Sequence, residues 1–68
     1  MTATTRAAYW RKDGPTGLVR GDYRIDRVGG GDAPYEWVVT RDGARVGVET
    51  KLRYAKNLAT IHEETTPL

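Results

Sequence analysis

His62 is the single imidazole in a chain of 68 residues that contains neither cysteine nor serine. Nucleophilic catalysis needs a nucleophile held within hydrogen-bond reach of a base, and this composition supplies no such set. A thiolate or histidine-based metal site is not expected either, because the chain has no cysteine and one histidine cannot build such a site alone. The run Gly29-Gly30-Gly31 lacks the Lys-Ser/Thr pair of a phosphate-binding loop, and it separates two expected strands instead of preceding a helix. No catalytic residue, metal site or cofactor is therefore expected, and the protein is read as a non-enzyme. His62 reads as a packed or helix-capping residue, since a cation near a helix C-terminus is favourable.

What remains is binding. The net charge is only +2, but it is unevenly spread. Residues 1–28 carry an excess of three positive charges and residues 29–50 an excess of two negative ones. The basic set Arg6, Arg11, Lys12 and Arg20, joined by Lys51 and Arg53 further on, is the candidate nucleic-acid surface. With no run of about 18 apolar residues and no charged-then-apolar leader, neither a membrane span nor a signal peptide is expected; a cytoplasmic location follows by default. A single domain this small buries about 60% of its unfolded surface, and without disulfides or metal a homodimer is one remaining source of buried area.

The elements that must position these residues are legible in part. Residues 1–20 read as an N-terminal arm, partly disordered or folded back on the core; the turn cluster at Asp13-Gly14-Pro15-Thr16-Gly17, followed by Leu18-Val19, leaves a short, irregular hairpin as the alternative to the fold-back. Residues 21–68 read as a β-β-β-α domain. The strands are expected over 23–27, 35–40 and 44–49, with an open loop across 29–34. Thr50 is a good N-cap for a helix from Lys51 to about Glu64, with Pro67 beyond its end. The fold class is thus α+β: a three-stranded antiparallel meander packed against one C-terminal helix.

Asp42-Gly43 between alternating apolar runs is a strong hairpin signal. A two-residue turn pairs 41 with 44, 39 with 46 and 37 with 48. It gathers Trp37, Val39, Val46 and Val48 on one face, and a first strand in the matching register adds Tyr23 beside Val39 and Ile25 beside Trp37. A three-residue loop would set Val39 against Arg45, so apolar segregation favours the shorter turn. Leu52, Ala55, Leu58, Ala59 and His62 on the helix would cover this face, the alanines allowing close approach to Trp37.

The same register makes a surface. Asp26, Glu36 and Glu49 fall in one cross-strand row on the outer face, where like charges are destabilising unless arginines reach across or a basic partner or hard cation binds. Such a row would repel phosphate. The helix adds a second surface. Its charges oppose the macrodipole, with Lys51 and Arg53 at the start and Glu63 and Glu64 at the end. Its apolar arc is wider than one sheet can cover, because Tyr54, Leu58 and Ile61 extend it. The N-terminal arm, through Tyr9, Trp10, Leu18 and Val19, is the expected cover; a partner is the alternative. Tyr54, Leu58, Ile61, Asp26, Glu36 and Glu49 are accordingly the candidate protein-binding residues.

The order strand–strand–strand–helix, with Trp37-Val38-Val39, Asp42-Gly43 and Thr50-Lys51-Leu52-Arg53-Tyr54-Ala55-Lys56, resembles the arm-type N-terminal domain of tyrosine integrases over roughly residues 21–64. That resemblance implies a sheet docked in a DNA major groove, and the acidic row is a departure from it. In size, in its arginine-rich composition and in layout the chain also resembles small accessory proteins of actinobacterial phages, some of which bind and disable host proteins. The expectation is a protein-binding accessory module; a nucleic-acid-binding module and a structural subunit of a larger assembly are the alternatives.

Overall fold

The Asp42-Gly43 turn forms as its dipeptide demands. In the computed structural model, which describes residues 9–65, Arg41 pairs with Ala44 and the turn residues take φ of 50° and 85°. Two positive values are the signature of a type I′ hairpin.

Beyond the turn the register departs from the expected one. Thr40 pairs with Arg45 but Val39 pairs with Gly47, so Val46 is an extra residue on its strand. Trp37 consequently faces Glu49 and Val38 faces Val48. Gly47 gives the physical reason. A Cβ there would lie 2.7 Å from Leu58 Cδ2, so the bulge presents bare backbone to the helix, a common use of glycine within a strand. Val48, expected in the core, turns to the outer face and is 38% exposed.

The sheet has five strands, not three. β1 (Arg11–Asp13), β2 (Gly17–Arg20), β3 (Tyr23–Gly30), β4 (Ala33–Arg41) and β5 (Ala44–Glu49) are antiparallel and adjacent in chain order. Residues 11–20 of the expected arm are thus a hairpin that widens the sheet. Leu18 pairs with Ile25 and Arg20 with Tyr23, and the Arg27 N–H donates to the Thr16 carbonyl at 2.9 Å. Strands of three and four residues are too short to announce themselves by periodicity. The expected open loop at 29–34 is mostly strand as well. Gly30 pairs with Ala33 after a shift in register, leaving Gly31-Asp32 as the turn. Gly29 has φ of 96°, and a Cβ on it would sit 2.5 Å from the Pro34 carbonyl oxygen.

Ile25 pairs with Val39 and Tyr23 with Arg41, two residues from the expected partners. A shift of two leaves every side chain on its expected face. Tyr23, Ile25 and Val39 are therefore buried beneath Ala55 and Ala59 of α1 (Leu52–Thr65), and Trp10, Leu18, Trp37, Val46, Leu52 and Leu58 pack around them. The alanines thus close on Tyr23, Ile25 and Val39, and Trp37 stands at the margin. The helix packs on β3, β4 and β5. It reaches β2 through the Arg20 side chain, which leaves β1, the start of β2 and the far end of the β3–β4 hairpin uncovered on the helix side.

The C-terminal half of α1 is tied down by polar contacts. The Tyr23 hydroxyl and His62 Nδ1 are 2.7 Å apart, with the rings edge-to-face, so His62 is a packed residue. Burial pushes the Tyr23 phenol above its ordinary pKa. Arg20 donates to Glu63 Oε1 at 3.1 Å and to Thr60 Oγ1 at 3.5 Å, and its guanidinium lies 5.0 Å from the Trp10 ring centre.

Candidate functional site

The acidic row does not form. Asp26 lies opposite Val38, which lies opposite Val48; Glu36 lies opposite Val28; Glu49, carried to the helix side by the bulge, lies opposite Trp37. Asp26 is also held in a two-oxygen pair by Arg24 Nε at 3.0 Å, and Arg24 donates to Asp13 as well. The two carboxylates raise the pKa of Arg24, that of Asp13 foremost. The outer face instead carries Arg11, Val19, Arg24, Thr40 and Arg45 in one cross-strand row.

The helix stripe is only partly covered. Leu58 folds onto Gly47, but Tyr54 is 45% and Ile61 56% exposed. The expected cover lies elsewhere. Trp10 and Leu18 pack against the core from the β2 side, Val19 points to the outer face, and Tyr9 is exposed.

The candidate basic residues are scattered, with one exception. Arg6 lies outside the described residues. Arg20 is occupied with Glu63, Thr60 and Trp10, and Arg11 is on the outer face. Lys12, however, pairs with Leu18 and so points to the helix side, towards the start of α1. There, Lys12, Pro15, Thr16, Gly17, Leu18, Arg27, Trp37 and Leu52 line an open cavity of about 240 Å³. It lies where the helix begins and the sheet continues uncovered. Lys51 precedes Leu52 in sequence, Lys56 follows it by one turn on the same helix side, and the first turn of α1 contains no acidic residue; Arg53 lies with Tyr54 on the other flank.

Two side chains missed at the sequence level complete this surface. Arg27 pairs with Trp37 across β3 and β4, and its guanidinium lies 4.4 Å from the ring centre of Tyr35. Tyr35 is about half exposed. Its ring lies against Gly30, where a Cβ would come within 3.3 Å of it. Tyr35, Arg27 and Trp37 therefore form a continuous aromatic and cationic strip leading from the β3–β4 tip into the cavity. Period-2 alternation puts Tyr35 and Trp37 on one face; the pairing of Arg27 with Trp37 was hidden by the two-residue error in register.

The strip can hold an anion that carries a flat apolar group. Lys12 and Arg27 supply charge, and Trp37, Leu18, Leu52 and Pro15 supply the apolar wall. Small-molecule sites typically measure about 300–1,000 Å³, so this cavity fits one ring-sized part of a longer partner. Among the described residues, no cluster of three or more His, Asp or Glu side chains is placed to hold a metal ion, and no helix is long and apolar enough to cross a membrane. No family model, curated protein or solved structure matches the chain.

Proposed function

We propose that the protein is a non-catalytic module that binds single-stranded nucleic acid along the strip from Tyr35 to Lys12. The observation that carries this reading is the joint presence of Trp37, Arg27 and Lys12 on one cavity beside a helix start rich in cations. Single-strand binders combine a basic track with aromatic side chains on which bases stack, each stack contributing about 1–3 kcal/mol. A recessed indole favours a single strand, because a duplex keeps its base faces internal. The acidic row on the outer face does not form, and Glu49, brought opposite Trp37 on the strip's own side, is outnumbered there by Lys12 and Arg27. The protein-binding reading loses the support of that row and keeps only the helix stripe at Tyr54 and Ile61.

The test is fluorescence anisotropy with labelled single-stranded oligonucleotides, with the matching duplex and polyglutamate as competitors. The reading expects single-strand binding at low salt that weakens steeply as salt rises and is lost in Trp37→Ala. Absence of binding at low salt overturns it. Equal competition by polyglutamate would reduce the site to a charge patch for acidic proteins.

A further inference from the structure

The exposed helix stripe has a different chemistry and points to a different occupant. Arg20 of β2 reaches Thr60 and Glu63 on one flank of α1, while Leu58 on the other flank rests on Gly47 of β5. Tyr54 and Ile61, four residues before and three after Leu58, lie on that second flank. They overhang the edge of the sheet, because β5 is its last strand. The strand edge itself is blunted by the extra residue at Val46 and by the charges of Arg45 and Glu49, the usual devices against strand addition. A partner on this side is therefore directed to the helix.

We infer that this stripe docks against α1 of a second copy of the chain, antiparallel, about a two-fold axis near Asn57 and Leu58. The stripe is self-complementary. An axis midway between Tyr54 and Ile61 sets Tyr54 against the second copy's Ile61 and leaves Arg53 level with the second copy's His62, about 3 Å of rise from Glu64. Arg53 and Glu64 are eleven residues apart, three turns of helix, and so share one side of the stripe. In the antiparallel arrangement each Arg53 meets the other copy's Glu64. A parallel arrangement would oppose the basic starts to each other. The inverted charge order of α1, unfavourable within one helix, thereby becomes favourable between two. Arg53 also lies with its guanidinium 5.9 Å from the Tyr54 ring centre, which joins the charged and apolar parts of the surface. The dimer does not use the cavity, and it stands or falls independently of nucleic-acid binding.

Sedimentation equilibrium of the full chain, without nucleic acid and over a range of concentrations, tests the inference. The expected result is a mass that rises from 7.6 kDa toward twice that value. Tyr54→Glu combined with Ile61→Glu should leave a monomer with an unchanged far-ultraviolet circular dichroism spectrum. Arg53→Glu alone and Glu64→Arg alone should each weaken association about tenfold. Both place a charge that the helix dipole favours, so folding is not at risk. The double variant Arg53→Glu/Glu64→Arg should restore association. A mass fixed at 7.6 kDa up to about 1 mM overturns the inference. So does a dimer indifferent to the glutamate pair, or a double variant no tighter than the singles.

Discussion

Leu58 rests on the bare backbone of Gly47, where an added Cβ would come within 2.7 Å of Leu58 Cδ2. The contact couples the bulge in β5 to the seating of α1. Gly47→Ala meets only the far end of a side chain that can turn aside, and is expected to cost about 1 kcal/mol or less. Gly47→Val forces larger adjustment against a packed helix and should cost about 1–3 kcal/mol. Urea midpoints at constant m-value measure both. A valine variant as stable as the parent would remove Leu58 from this contact.

The bulge also reverses the standing of two valines. Val39 is fully buried, whereas Val48 is on the outer face and 38% exposed. Val39→Ala removes two buried carbons, at about 0.8 kcal/mol each with a cavity cost added, so a loss of about 2 kcal/mol is expected. Val48→Thr should stay within about 0.5 kcal/mol. In an unbulged strand Val48 would be a core residue and its replacement costly, so comparing the two thermal midpoints reads out the register.

That reversal marks where the sequence stopped being informative. The turn at Asp42-Gly43, the helix, and the inward faces of Tyr23, Ile25 and Val39 were legible from turn chemistry and alternation. The bulge was signalled only by Gly47, a lone glycine inside a strand pattern, whose meaning depends on a leucine eleven residues away. The β1–β2 hairpin was signalled only by the turn cluster at Asp13 to Gly17, because strands so short carry almost no periodicity. For the candidate site, Lys12, Lys51 and Arg53 were named in advance as cations. The meeting of Lys12 with Trp37 and Arg27 on one cavity needed the two extra strands and the shifted β3–β4 pairing. Charge is visible residue by residue; a charged cavity exists only through long-range register.

Tyr23 and His62 tie sheet to helix, and the tie should be sensitive to alkali. Burial raises the Tyr23 phenol above its ordinary pKa of 10.0. Above pH 10 the unfolded chain loses this proton before the folded one does. Folding then binds the extra proton, and stability falls as pH rises. The contribution is fully present below pH 10 and is lost as pH climbs through the folded value. Tyr23→Phe should cost about 1 kcal/mol at neutral pH through the lost hydrogen bond, and should flatten the alkaline decline. Denaturant titrations at a series of pH values test this; an equally steep decline in the phenylalanine variant would assign it to other groups.

Charge and stacking at the cavity can be separated by salt. If Lys12 contacts one phosphate of a single strand, Lys12→Ala should reduce the slope of log K against log salt by about 0.7. Trp37→Ala removes a stacking partner but no charge, so it should weaken binding by about 1–3 kcal/mol and leave the slope unchanged. Arg27→Ala should do both, because its guanidinium lies beside the cavity and over Tyr35. Arg24 supplies the control: it is engaged by Asp13 and Asp26 on the opposite face of the sheet, and Arg24→Gln should leave slope and affinity nearly as they were. A loss for Arg24→Gln equal to that for Lys12→Ala would move the contact to the outer sheet face, since only there can Arg24 touch a bound strand.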